Sequence, residues 1–345
     1  MRIIRNNARL IIALSVLCIL IFDSRAAFAG AQEGVQLCIH TLIPSLLPFF
    51  VISGYFCNTF STTHLSFLKP LLQLCKIPDG SGALFMVGML GGYPVGAKLI
   101  ADAYRDKQID ASDAKRMLGF CNNAGPSFVF GIVGTYFSAN YIPWIVLVIL
   151  ILSAILTGWL LPRTSGCNHI VHINKQISFN KIFQSSLVSI ASVCGWVILF
   201  RVIISILKRW LFWMLADVMQ VCLSGVLELA NGCISLGLIN NDGMRFVIST
   251  GLLSFGGLCV YLQTVSVVGD LGTGYYFPGK IIQTSIALIL SLFMQYFLFS
   301  DANRIPLIFM IPPISLLAVT LAAVKAKNCK ITVAILKKVV YNKVN

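Results

Sequence analysis

The run Gly91-Gly92-Tyr93-Pro94-Val95-Gly96-Ala97-Lys98 breaks an otherwise apolar stretch, and Asn122-Asn123-Ala124-Gly125-Pro126-Ser127 breaks the next. Glycine and proline interrupt helices, and asparagine competes for backbone hydrogen bonds. At membrane depth, irregular backbone survives only where it is buried in protein or lines a watery cavity. Two such breaks, close in sequence and carrying amides, a hydroxyl and a cation, predict a transporter's substrate site.

Composition places these breaks in a bilayer. Of 345 residues, 57% are hydrophobic and only 11% charged, with a mean hydropathy of +0.86. A soluble domain this apolar could not cover its surface with polar groups. Several runs reach the roughly 20 apolar residues that cross the hydrocarbon core. The net charge of +14 does not indicate nucleic-acid binding, because the cations flank apolar runs. Arg2, Arg5 and Arg9 precede the first run, and six lysines with no acid lie between Lys325 and Asn345. Such flanks set topology and touch anionic lipid.

The pattern predicts an all-α polytopic membrane protein with about eight transmembrane helices and two re-entrant hairpins. Crossings are expected near 8–22, 35–60, 117–137, 141–162, 182–207, 246–268, 281–299 and 305–324. The hairpins are expected at 81–100 and 210–237, each with a polar break near its middle. On this reading one side holds 1–9, 61–80, 101–116, 163–181, 269–280 and the tail, with 19 Lys and Arg. The other side holds five: Arg25, Lys208, Arg209, Arg245 and Arg304. The richer side is assigned to the cytoplasm. A span, a hairpin and a broken span then occur twice in opposite orientation, which is an inverted repeat. The domains are expected as follows: 1–34 an N-terminal anchor or signal-like segment, 35–162 the first repeat, 163–181 a basic cytoplasmic linker. They continue with 182–299 the second repeat, 300–324 the last transmembrane helix, and 325–345 a basic cytoplasmic tail. The opening segment is read as an uncleaved span, with a cleavable signal peptide as the alternative.

Within the breaks, Gly92, Tyr93 and Gly96 form a hairpin tip whose amides can face an anion. The spacing fails as a nucleotide-binding P-loop, since Lys98 falls one residue late and no Ser or Thr follows. Lys98 is either an intramembrane charge aimed at an anion or a snorkelling partner of Asp102. Asn122, Asn123 and Ser127 can orient a polar ligand. One asparagine is expected to face the site while the other braces the hairpin. Glu228, with Asn231 beside it, can bind a proton or sodium, contact substrate, or pair with Lys98 or Arg201. Ser254 and Gln263 are further polar candidates, and Asp217 is read as interfacial. The acids and bases of 101–116 read as a solvated face. Cys167, His169 and His172 are too few ligands for a metal, and eleven scattered cysteines without a CxxC pair read as small buried hydrophobes. No catalytic triad or zinc motif can be assembled, so no enzyme, cofactor or metal is expected. The predicted partners are a small anionic or polar solute and the bilayer, with a coupling ion and homo-oligomerisation left open.

Three stretches resemble the YlbJ-type sporulation integral membrane proteins, which carry the nucleoside-recognition gate domain. They are Leu42-Ile43-Pro44-Ser45-Leu46-Leu47-Pro48-Phe49, Gly92 to Lys98, and Asn122 to Phe128. The likeness continues through Cys194-Gly195-Trp196, Leu227-Glu228-Leu229-Ala230-Asn231-Gly232 and Ser254-Phe255-Gly256-Gly257, covering roughly 35–300. Cys259 stands where the family pattern has a polar residue. The resemblance implies a hairpin core similar to that of concentrative nucleoside transporters. It also implies movement of dipicolinate across the outer forespore membrane during sporulation. A non-transporting scaffold for spore-envelope assembly, and a nucleoside-type or ion gate carrier, are the alternatives.

Overall fold

In a medium without water, each segment must satisfy its own backbone amides, and a continuous apolar run can do so only as a helix. The computed structural model describes residues 10, 14–15, 17–59, 66–78, 81–162 and 178–326, and contains helices and no strand among them. The cluster Cys167, His169 and His172 lies outside the described residues, as does most of the basic tail. In chain order the helices begin with α1 (Ser24–Leu37), α2 (Ile43–Thr59), α3 (Lys69–Leu74), α4 (Gly82–Leu90), α5 (Val95–Arg105), α6 (Ala111–Met117) and α7 (Pro126–Gly131). They continue with α8 (Ile142–Leu160), α9 (Phe179–Trp210), α10 (Asp217–Leu227), α11 (Leu229–Ile234), α12 (Asp242–Phe255), α13 (Gly257–Val268), α14 (Tyr276–Leu298) and α15 (Leu307–Ala326).

Five stretches among the described residues are long and apolar enough to cross a membrane: α8, α9, α12 with α13, α14 and α15. A sixth is the pair 24–42 and 46–56, bent by 49°. The expected boundary at residue 34 falls inside α1, which runs on to Leu37. Residues 117–137 hold no long helix. They consist of the α6 terminus, an irregular stretch, the six-residue α7 and a 3-10 turn at Val133–Tyr136. The cause is local, because Asn122 to Pro126 deny the segment regular helical bonds.

The outer surface is that of a protein solvated by hydrocarbon. Trp144, Val148, Leu152, Leu156 and Trp159 form an exposed stripe along α8, while Val146, Leu150, Ser153, Ala154 and Thr157 of the same helix are buried. Close packing inside depends on small residues. A Cβ on Gly30 or Gly34 of α1 would lie 2.7 and 2.9 Å from atoms of α9. The same helix pair carries Glu33 to Arg201 at 3.4 Å and the Ser205 hydroxyl donating to Ala26 O at 2.8 Å.

The connections gather at two ends. At one, Arg116 donates to the carbonyls of Cys75 (2.6 Å), Lys76 (3.1 Å), Leu161 and Gly158. Arg105 donates to Val267 O at 2.8 Å, and Tyr275 N to Lys115 O at 3.1 Å. At the other end Trp210 donates to Asp23 at 2.7 Å, and Tyr136 to Ile234 O at 2.6 Å. Arg245 donates to Tyr136 O at 2.8 Å, and Asn241 to Ala302 O at 3.4 Å. The expectation that residues 101–116 form a solvated face fails at Asp113 and Arg116, which are buried. Arg116 is held inside because it closes the carbonyl ends of α3 and α8, where a cation also suits the helix dipole.

Candidate functional site

Four chain breaks converge at the centre. The turn between α4 and α5 packs backbone to backbone on the Cys121–Gly125 stretch: a Cβ on Gly125 would lie 3.0 Å from Gly92 Cα, and one on Gly96 would collide with the Cys121 carbonyl. Gly92 has φ +83°, a conformation that favours glycine. The second pair of breaks repeats the device. Glu228 separates α10 from α11, and Gly256 and Gly257, both left-handed, separate α12 from α13. A Cβ on Gly257 would lie 2.8 Å from Gly225 O.

Between the breaks lies a cavity of about 50 Å³. Its wall includes Gly92, Tyr93, Ala124, Gly125, Glu228, Leu229 and Gln263, closed by Leu42, Leu46, Phe128, Val193, Val197, Ala230 and Val260. Glu228 is the one charged residue in that wall. Its carboxylate caps α11, accepting from Ala230 N at 2.8 Å and Asn231 N at 2.6 Å. Those amides belong to the first turn of α11, so they are left without intrahelical acceptors. Glu228 forms no ion pair with Lys98 or Arg201. Lys98 bonds Asp102 at 2.9 Å and Ser185 at 3.2 Å, and Arg201 pairs with Glu33.

The structure brings Gly92, Tyr93, Glu228 and Gln263 of the expected set together at the cavity and places the others around it. Asn122 accepts from Ala97 N at 3.3 Å and donates to Thr264 at 3.2 Å. Asn123 donates to Phe120 O at 2.8 Å and Gly88 O at 3.3 Å. Both asparagines therefore brace the breaks. Ser127 begins α7, and its side chain lies outside the described residues. Asn231 is buried, and its Nδ2 has no hydrogen-bond partner among the described residues. Ser254 turns back on its own helix, donating to Thr250 O at 2.6 Å. Gln263 donates to Cys259 Sγ at 3.2 Å, and Asp217 is exposed at the start of α10.

Sequence reasoning missed Lys280 and Gln283. An expected start of the span at 281 leaves Lys280 in the preceding loop, whereas it is a fully buried residue of α14. Its Nζ donates to Gln283 Oε1 at 2.7 Å and Asn123 Oδ1 at 3.1 Å, and lies 4.9 Å from the Tyr93 ring centre. Gln283 Nε2 also donates to Asn123 Oδ1, at 2.8 Å. The available signal was Pro278, which belongs in a helix's first turn and so points to a start before 280. Among the described residues no three potential metal ligands cluster.

No family model matches the chain, and no solved structure does. The sporulation integral membrane protein YlbJ of Bacillus subtilis (strain 168) is 33% identical to it over 121 residues. That stretch is 34% of this chain and spans 29% of the relative's length. This chain is an integral membrane protein that shares about a third of its length with a sporulation membrane protein.

Proposed function

We propose that the protein is a carrier for a small polar anion, with dipicolinate in spore formation as the expected cargo. The observation that carries this reading is the meeting of four chain breaks around one central cavity. A scaffold has no use for unwound backbone at that depth, whereas a carrier builds its site from it.

The placement of the ends is consistent with two hairpins in an inverted repeat, while the crossing expected at 8–22 lies partly outside the described residues. Residues 81 and 105 bracket a hairpin on the Arg116 end, and residues 217 and 238 bracket one on the opposite end. The irregular stretch 118–136 then crosses in one direction, and α12 with α13 in the other. Gly92, Tyr93 and Gln263 are uncharged polar groups in the cavity wall that a ligand can meet. Glu228 opposes the arrival of an anion unless a proton arrives with it, which makes it the coupling residue of this scheme.

Vesicles reconstituted with the protein and loaded with dipicolinate test the reading. Protein-dependent efflux that rises as pH falls, with the pH dependence lost in Glu228→Gln, is the expected result. Absence of protein-dependent flux for dipicolinate and for other small anions would favour the scaffold.

A further inference from the structure

Lys280 has no carboxylate within ion-pairing distance among the described residues, yet no part of it reaches the surface. With the buried Cys121 thiol nearby, its Nζ meets two amide oxygens, Gln283 Oε1 and Asn123 Oδ1, and the face of Tyr93. All three receive a positive N–H, and an ammonium has three to give. The seat can take every N–H of an ammonium, and an uncompensated charge buried in a membrane is costly and marks a functional residue by default. An arriving anion would relieve that cost.

Tyr93 separates the ammonium from the cavity. Its ring covers Lys280 and also forms part of the cavity wall, while its hydroxyl donates to the carbonyls of Leu253 (3.2 Å) and Ser254 (3.3 Å). Those carbonyls end α12, where the chain breaks at Gly256. A Cβ on Gly256 would lie 2.9 Å from the Tyr93 ring, so the break and the ring fit each other. Tyr93 is itself set between α4 and α5 beside Gly91 and Gly92, a backbone able to change course.

We propose that Lys280 is the anion-selecting residue of the carrier: its ammonium stands behind Tyr93, which lines the cavity, and meets a carboxylate of the cargo once Tyr93 swings aside. This rests on the carrier reading above. The test compares protein-dependent flux of dipicolinate with that of its uncharged diamide, pyridine-2,6-dicarboxamide, in reconstituted vesicles. The wild-type protein is expected to favour the dianion by about tenfold or more, the scale of one charge-assisted contact. Lys280→Gln is expected to bring the two rates within about twofold by losing dianion flux, and Lys280→Arg to keep the preference. An unchanged ratio in Lys280→Gln overturns the proposal, whether both rates stay normal or fall together. Loss of the preference in Lys280→Arg as complete as in Lys280→Gln also overturns it, since charge would not be the property that matters. Should Lys280→Gln fail to insert, Tyr93→Ala decides: a dianion preference above wild type supports an uncovered ammonium, and an unchanged or lost preference refutes it. No wild-type flux of either solute defeats the carrier reading and this proposal together, a pattern unlike flux with an unaltered ratio.

Discussion

Asn123 spends all four of its hydrogen-bonding directions on protein. Its two donor bonds fix the irregular backbone at Phe120 and Gly88, and its oxygen accepts from Lys280 and Gln283. Asn123→Ala should therefore destabilise the protein by about 1–3 kcal/mol, the range for removing one partner of buried hydrogen bonds. A lower midpoint of thermal unfolding in detergent would register it. An unchanged midpoint with lost flux would instead make Asn123 a ligand contact. Its place at a break was legible in the sequence, since asparagine beside Gly-Pro interrupts a helix locally, but whether it faced a ligand or braced the backbone was not. Its partners were not, because Lys280 lies 157 residues away. Lys98 and Lys280 show the same limit. Lys98 bonds an aspartate four residues on, which helical spacing supplies. Lys280 is held by groups brought to it by tertiary packing.

At the scale of elements, glycine decides where backbones touch. Gly96 and Gly232 each leave room for another segment at a separation that a methyl group would abolish, against the Cys121 carbonyl and Gly225 respectively. Gly96→Ala and Gly232→Ala should both sharply reduce folded protein recovered from membranes. Gly195→Ala, where nothing lies within 4 Å of the added atom, should be neutral or stabilising by up to about 1 kcal/mol. Recovery in detergent with a single sharp size-exclusion peak measures all three, and equal recovery would refute the close-packing account. These breaks were readable as breaks because Gly, Pro and Asn act locally. Which break packs on which was not readable, and neither was the burial of Arg116. Its charge pattern with Asp113 and Lys115 is that of a surface helix, while its acceptors sit at the ends of two helices distant in sequence.

For the whole molecule, the ends define sidedness. Cysteine introduced at Lys107 should react with an impermeant thiol reagent from the cytoplasm, and cysteine at Asp301 from the opposite side, in a background with the native cysteines replaced. Both positions are exposed. Reaction of both from one side would break the inverted arrangement. The apolar spans themselves were plain from composition, since only length and hydropathy are needed to find them. The division of 117–137 into short pieces follows from its Asn, Gly and Pro residues. The cavity adds a consequence for turnover. At about 50 Å³ it has room for a few waters, far below the roughly 300–1,000 Å³ of pockets that hold ring-sized ligands. On the carrier reading proposed above, a ring-sized cargo therefore enters only when the walls around Tyr93 and Glu228 part, so the rate of that parting sets the ceiling on turnover.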